Sequence, residues 1–417
     1  MTMKNKFFGM IAVAAVIGFL MTGCELEPDD DNGTSSGNGT RRISFNVSNL
    51  QEWNDVVDYI NAGGNGRTYT INIVDDFANP GNSLLMGFGS PTFTPTDITV
   101  TIQGNRTIST SPGGRSLLAI NAGQTIILRD VNLAGRSGYS LVYINGGTLI
   151  MHGEASIHGN TATSAFFVSG GVRVSRSGTL IMRDNSSIHS NLGGVLLAVG
   201  SAFAERYDNL FEMHDNSSVH YNRSLTPMGM RIGGINVNSG TFIMRGNAAV
   251  RDNSGQGSGG GVSLFGNSSL TMYDNSSITG NTVRQGSSLQ FGGNGAGVHV
   301  SFNSVFTMND NALVHGNFEY GGGEGAVFVH GDFTLGRGTF IMQGGTISGN
   351  SSWGGVFIRG GIFQMSGGTI YGTNAGENSN AGGALRVVGG VAQYGTFTDG
   401  VFTSSGNLVT TNNTITR

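Results

Sequence analysis

The segment Leu149–Asn160 reads LIMHGEASIHGN, and the chain writes it again as LIMRDNSSIHSN at 180–191 and FEMHDNSSVHYN at 211–222. FIMRGNAAVRDN at 242–253, LTMYDNSSITGN at 270–281 and FTMNDNALVHGN at 306–317 follow. Each copy runs Leu or Phe, one residue, Met, five residues, Ile or Val, two residues, Asn. The starts lie 31, 31, 31, 28 and 36 residues apart, so a fixed 12-residue block alternates with a spacer of variable length. Self-similarity at a period of roughly 20–50 residues marks a stacked repeat architecture.

Within a block the Leu or Phe and the Met are two apart, so both point to one side of a strand. The Ile or Val six residues after the Met belongs to a second short strand, set off by turn residues such as Asp-Asn-Ser-Ser or Gly-Asn-Ala-Ala. A glycine pair and a third strand come after the closing Asn, as in Gly193-Gly194-Val195, Gly233-Gly234-Ile235, Gly260-Gly261-Val262, Gly354-Gly355-Val356 and Gly382-Gly383-Ala384. Three short strands in each repeat, each with an inward apolar residue, predict one coil of a parallel β-helix. Leucine-rich repeats need a periodic Leu consensus, and propeller blades need four strands in ~40–45 residues. Ile102 and Leu128 hold the Met position in earlier rungs, and Met342 and Met365 continue it, which makes ten rungs with partial ones near Ile73 and Phe397. An all-β solenoid of about 10–12 coils, roughly 50–60 Å long, is expected over residues 43–417.

Both ends of such a stack expose backbone. Asn49 and Glu52 have capping-box spacing, and Leu50, Trp53, Val56, Val57 and Ile60 form one face before Gly63. They predict a short capping helix at 50–62 over the first rung. Asn407 to Arg417 is polar and Thr-rich, with no apolar cap in prospect.

Composition agrees with a solenoid. Gly is 71 of 417 residues without a Gly-X-Y period, which excludes collagen, and 38% hydrophobic residues are too many for a disordered chain. The net charge of −4 and the lack of any basic stripe argue against nucleic acid as a partner.

The first residues form an address. Lys4 and Lys6 precede the apolar run Phe7 to Leu20, and Met21-Thr22-Gly23-Cys24 closes it. This resembles a bacterial lipoprotein signal at 1–23, which implies lipidation of Cys24 and a membrane partner through that lipid. An ordinary secretory signal or an uncleaved anchor is the alternative. Cys24 is the one cysteine, so no internal disulfide explains it, and residues 24–42 have the polar composition of a flexible tether.

The glycine box and the Ile/Val-x-x-Asn motif together resemble bacterial right-handed, single-stranded parallel β-helix surface proteins of the pectin-lyase-like superfamily. They are similar in particular to the GGA(I/L/V) and FxxN repeats of chlamydial polymorphic outer membrane proteins, although Ile or Val here replaces Phe. The resemblance covers roughly residues 43–417 and implies an adhesin-like protein of the bacterial cell envelope, at the outer membrane or cell surface.

Many proteins of this shape act on acidic polysaccharides, through clustered carboxylates with an Arg or Lys base, or through paired Asp on adjacent rungs. The best carboxylate column is Asp184, Asp215, Asp274 and Asp310, which reads as weak calcium binding or as turn chemistry. His158, His189 and His220 follow the inward Ile or Val on three consecutive copies, so they should stack outward about 5 Å apart. Such a column is a weak metal candidate or a repeated solvent-facing site. No serine-type, cysteine-type or P-loop arrangement is present, and no cofactor is expected. Length variation collects between the closing Asn and the next glycine pair, which places Arg223, Arg231, Arg284, Phe291, Phe318, Tyr320 and Trp353 on one candidate binding edge. A non-enzymatic, lipid-anchored surface protein that meets a glycan or protein partner there is the expectation. A polysaccharide lyase, glycoside hydrolase or carbohydrate-binding module of the same fold is the alternative.

Overall fold

The computed structural model describes residues 42–79, 92–110, 115–135, 139–160, 170–198, 206–224, 233–256, 259–284, 295–320, 325–350 except 333 and 335, 354–372, 383–408 and 414–416. The lipoprotein-like leader, Cys24 and the tether up to residue 41 lie outside them, as do Arg231, Phe291 and Trp353. The described chain is a parallel β-helix. Successive coils add one strand each to three long sheets of 14, 12 and 11 strands, and the only helix among the described residues is Leu50–Gly63.

The first sheet carries the first half of every repeat block. Its register runs Ile71, Ile102, Leu128, Met151, Met182, Met213 and Met244, then Met272, Met308, Met342, Met365 and Tyr394. Phe45, in register with Ile71, and Tyr394, rather than Ile73 and Phe397, therefore hold the column at its ends. Two residues earlier a second column alternates Leu and Phe, and its aromatic members stack: Phe211 on Phe242 at 4.7 Å, Phe306 on Phe340 at 4.8 Å, Phe340 on Phe363 at 4.9 Å. These side chains are fully buried. Each contributes about 1.5–3 kcal/mol by leaving water, a gain that a single coil could not make alone.

The second sheet stacks Ile157, Ile188, Val219, Val250, Ile278, Val314 and Ile347. The third stacks Val142, Val172, Val195, Ile235, Val262, Val298, Val327, Val356 and Leu385 after the glycine pairs. Alternation turns the next residue of each third-sheet strand outward, yet Tyr143, Leu196, Ser263, His299, Phe328 and Phe357 are buried there. The outer face of that sheet is therefore partly covered as well, which the inward apolar pattern did not indicate.

The closing Asn of each block faces the interior. Asn160, Asn191, Asn222, Asn253, Asn281, Asn317 and Asn350 are buried. Each backbone N–H from Asn160 to Asn317 donates to the side-chain oxygen of the next Asn at 2.9–3.1 Å. From Asn191 to Asn317 the side-chain amide also donates to that oxygen and to a carbonyl of the preceding coil, as Asn222 does to Ile188 at 2.9 Å. The motif position is thus a continuous internal ladder that satisfies buried backbone.

At the N-terminal end the helix seats Trp53, Val56 and Ile60 on the core. Asn49 Oδ1 accepts from Glu52 N at 3.0 Å, but Glu52 returns its carboxylate to Ser48 N at 2.7 Å rather than to Asn49. Gly64, at φ 76°, ends the helix one residue later than expected. The C-terminal end differs more. Val401–Asn407 turns back antiparallel on the first sheet and Thr414–Thr416 on the second, which buries Leu408 and Ile415. These two residues supply apolar cover at an end where the sequence predicted none.

Candidate functional site

The turn between the first and second strands carries the Asp column. Asp184, Asp215, Asp274 and Asp310 adopt φ between 50° and 56°. Their carboxylates accept backbone N–H groups of the preceding coil, from Gly153, Asp184, Gly246 and Asp274 at 2.8–3.1 Å. The hydrogen bond from Gly153, helped by His152, holds Asp184 below the usual carboxylate range. These groups tie coil to coil, rather than each bonding only its own turn. Beside them the exposed amides of Asn185, Asn216, Asn247, Asn275 and Asn311 form a second ladder. Among the described residues no three His, Cys, Asp or Glu side chains are grouped to hold a metal ion.

The histidine column stacks as expected. His158 lies on His189 and His189 on His220, with ring centroids 4.9 Å apart and near-parallel planes. Equivalent nitrogens of parallel rings share that separation, whereas one zinc ion with ~2.0–2.1 Å bonds reaches nitrogens at most ~4.2 Å apart. The rings as stacked do not converge on one ion. Burial, then neighbouring His158 and Arg251, pushes His189 down to about 4. Burial, then Arg251 and His189, does the same to His220, also to about 4. The stack is neutral at pH 7.

The candidate edge is the next corner. Ser254–Gln256, Thr282–Arg284 and Phe318–Tyr320 form a short fourth sheet, and single bridges from Leu192 to Arg223 and from Arg223 to Ser254 extend it. Alternation buries Val283 and Glu319 and turns Arg284, Phe318 and Tyr320 outward, with Phe318 42% and Tyr320 48% exposed. Tyr320 packs on Phe318 at 4.6 Å, and the Arg284 guanidinium lies 5.2 Å from the Tyr320 ring. Four of the seven expected edge residues, Arg223, Arg284, Phe318 and Tyr320, therefore share one face. The other three are among the undescribed residues.

Two members of this corner escaped sequence reasoning. Tyr221, 57% exposed, sits just before the closing Asn at φ 51°. Glycine holds that left-handed position in four of the seven copies, Gly159, Gly280, Gly316 and Gly349. Ser190 and Asp252 share that conformation, and a tyrosine there costs about 1–2 kcal/mol of backbone strain. The departure from glycine is the signal that could have found it. Arg251, in the place of the missing fourth histidine, lies 5.6 Å from the Tyr221 ring and pairs with Asp252 at 3.1 Å.

Two further features stand apart from this corner. A groove of about 510 Å³ on the first sheet is lined by Asn72, Gln103, Gly104, Asn105, Arg129, Asp130 and Glu154. His299 is 5% exposed on the outer side of the third sheet, stacked on Phe328 at 5.3 Å, and burial pushes it down to about 3.

Comparison with known proteins brings no match from any protein-family model, any curated protein or any solved structure.

Proposed function

We propose that this chain is a lipid-anchored protein of the bacterial cell envelope whose β-helix displays the corner from Arg223 to Tyr320 for adhesion, without catalysing a reaction. One observation carries the reading. Side chains from separate repeats stand outward in two groups on one scaffold, Arg251 against Tyr221 before the closing Asn, and Arg284, Phe318 and Tyr320 beside Arg223 after it. Tyrosine and arginine are the residues that dominate binding energy at interfaces. Right-handed winding and kinship with pectin-lyase-like surface proteins belong to the same proposal, supported by the glycine boxes, the Asn spacing and the stacked parallel sheets. Attachment through Cys24 is supported by the leader that precedes it.

The test is binding of the detergent-solubilised full chain to glycan and protein arrays. Replacing Phe318, Tyr320 and Arg284 by Ala should lower binding at least tenfold with an unchanged thermal midpoint. Undiminished binding by the folded variant contradicts the reading. Replacement of Cys24 by Ser should release the protein from the membrane fraction.

The polysaccharide-active alternative is favoured by the first-sheet groove, where Arg129 and Asp130 stand one coil from Glu154 beside the amides of Asn72 and Gln103. Its carboxylates are already engaged: Asp130 Oδ1 accepts from Glu154 N at 2.8 Å, and Glu154 Oε1 from Asn185 Nδ2 at 2.7 Å. Release of reducing ends from polysaccharides, lost in Asp130→Asn and Glu154→Gln, would establish that alternative.

A further inference from the structure

The first sheet also presents an outward face, and its composition departs from that of a solvated sheet. Eleven strands, from Thr68–Ile73 to Ile362–Met365, each place two central residues on it. Those positions hold Thr, Ile or Val everywhere except Leu210, Glu212, Ser269 and Gln364. One column runs through Thr125, Thr148 and Thr179 and the other through Ile127, Ile150 and Ile181, all partly exposed. Glu212 is the only charge among these positions, and His214 Nε2 lies 3.2 Å from its carboxylate. Outward positions of a sheet that meets water are ordinarily polar. Five strand residues at ~3.3 Å each and eleven strands at ~4.8 Å make a face of roughly 800 Å². Stable complexes bury about that much on each partner, more than the apolar patch a monomer usually leaves bare. The next outward positions differ in charge on the two sides. Two residues after the face stand Arg129, His152, Arg183, His214 and Arg245 on five successive strands. Two residues before it on the same stretch of sheet, the charged positions are the exposed acids Asp97 and Asp208. Arg176 lies farther back, in the bend that leaves the third sheet.

We infer that this face pairs two copies of the chain about a two-fold axis parallel to the coil axis. Such an axis keeps coil against coil and lays the Thr column of one copy on the Ile column of its partner. It also brings each basic margin to the acidic one, with the partner's Asp208 between Arg183 and Arg245 and the partner's Asp97 beside Arg129. An axis along the strands would instead set the arginines of the two copies against one another, which opposes association. A neutral centre between margins of opposite sign is complementary to itself, as an isologous interface requires, so a second copy suits it better than a foreign protein. Branched Thr, Ile and Val side chains are already stiff at χ1 and lose little freedom on contact. The pairing goes beyond the adhesion reading and does not rest on it. The corner that carries Arg284 and Tyr320 follows the second sheet and stays open on both copies. Both N-terminal ends, with the tethers that lead to them, come to the same end of the pair.

Sedimentation equilibrium of the full chain in density-matched detergent should give the mass of two chains. Replacing Ile150 and Ile181 by Lys should return it to the mass of one with an unchanged circular dichroism spectrum, because both side chains point away from the core. Asp208→Arg should weaken association about tenfold, and adding Arg183→Asp and Arg245→Asp to the same chain should restore it. That rescue separates a contact between copies from damage to the coil. A bismaleimide reports the direction of the pair. Thr125→Cys chains should cross-link to one another, and so should Thr339→Cys chains, with the parent chain as the blank. The inference is overturned by a parent with the mass of one chain, which leaves the face to a different partner, or by a folded Ile150→Lys, Ile181→Lys variant that pairs undiminished. Cross-links that form only in a mixture of Thr125→Cys and Thr339→Cys chains would overturn it as well, since they mark an antiparallel pair.

Discussion

At the scale of single residues, the closing Asn does more than its place in the motif announces. Asn222 accepts from the backbone and side-chain nitrogens of Asn191 and donates to Ile188 O and Asn253 Oδ1. Asn222→Ala strands a buried N–H and a buried carbonyl, each worth about 1–3 kcal/mol, so urea unfolding should show a loss of about 2–5 kcal/mol. A change below about 0.5 kcal/mol would mean the ladder is decorative. The histidine stack gives a pH dependence with a definite sign. His189 and His220 titrate near 4 when folded and near 6.5 when unfolded, so between those values the unfolded chain binds more protons. Stability should hold above pH 6.5 and fall as pH drops toward 4, and a double His189→Gln, His220→Gln variant should show a flatter slope. Identical slopes would remove the stack from the account. The histidine column was legible as an alternation pattern. The Asn ladder was not, because a spacing of twelve residues reveals recurrence and not which way a side chain turns.

At the scale of elements, the glycine pairs were legible as strand boundaries for a reason that the structure changes. Gly234 is not in a left-handed turn; its Cα lies against the next coil, where an added Cβ would sit 2.2 Å from Gly261 O and 3.2 Å from Asn253 Nδ2. The equivalent position at Gly194 meets Gly234 O at 2.6 Å. Backbone cannot step aside, so Gly234→Ala should lower stability by about 1–3 kcal/mol despite the entropy that alanine removes from the unfolded chain. A thermal midpoint at or above that of the parent would contradict this close-approach role. The N-terminal helix was legible because capping and periodicity agree there. The C-terminal return was not, because Ile415 is a single apolar residue in a polar stretch and its antiparallel pairing with Ile370 has no local signature.

At the scale of the whole molecule, one rule repeated with small variations builds the coil, and the departures from the rule gather at one corner. The period was enough to read the architecture because every coil buries the same three columns. The outer face of the third sheet left no legible pattern, since alternation marks only the inward residue, and His299 and Phe328 are buried there. The candidate edge was half legible. Arg223, Arg284, Phe318 and Tyr320 were marked by variable spacing, whereas Tyr221 and Arg251 lie inside the constant block and stand out only by replacing glycine and histidine. The account therefore separates a scaffold from a binding corner, and one paired measurement decides it. Array binding and thermal midpoint are recorded for the parent, for Asn222→Ala, and for the combined Tyr221→Gly, Arg284→Ala and Tyr320→Ala variant. The account predicts that the ladder variant loses stability and keeps its ligands at low temperature, and that the corner variant keeps its midpoint and loses them. A stable corner variant that binds as the parent does would contradict it.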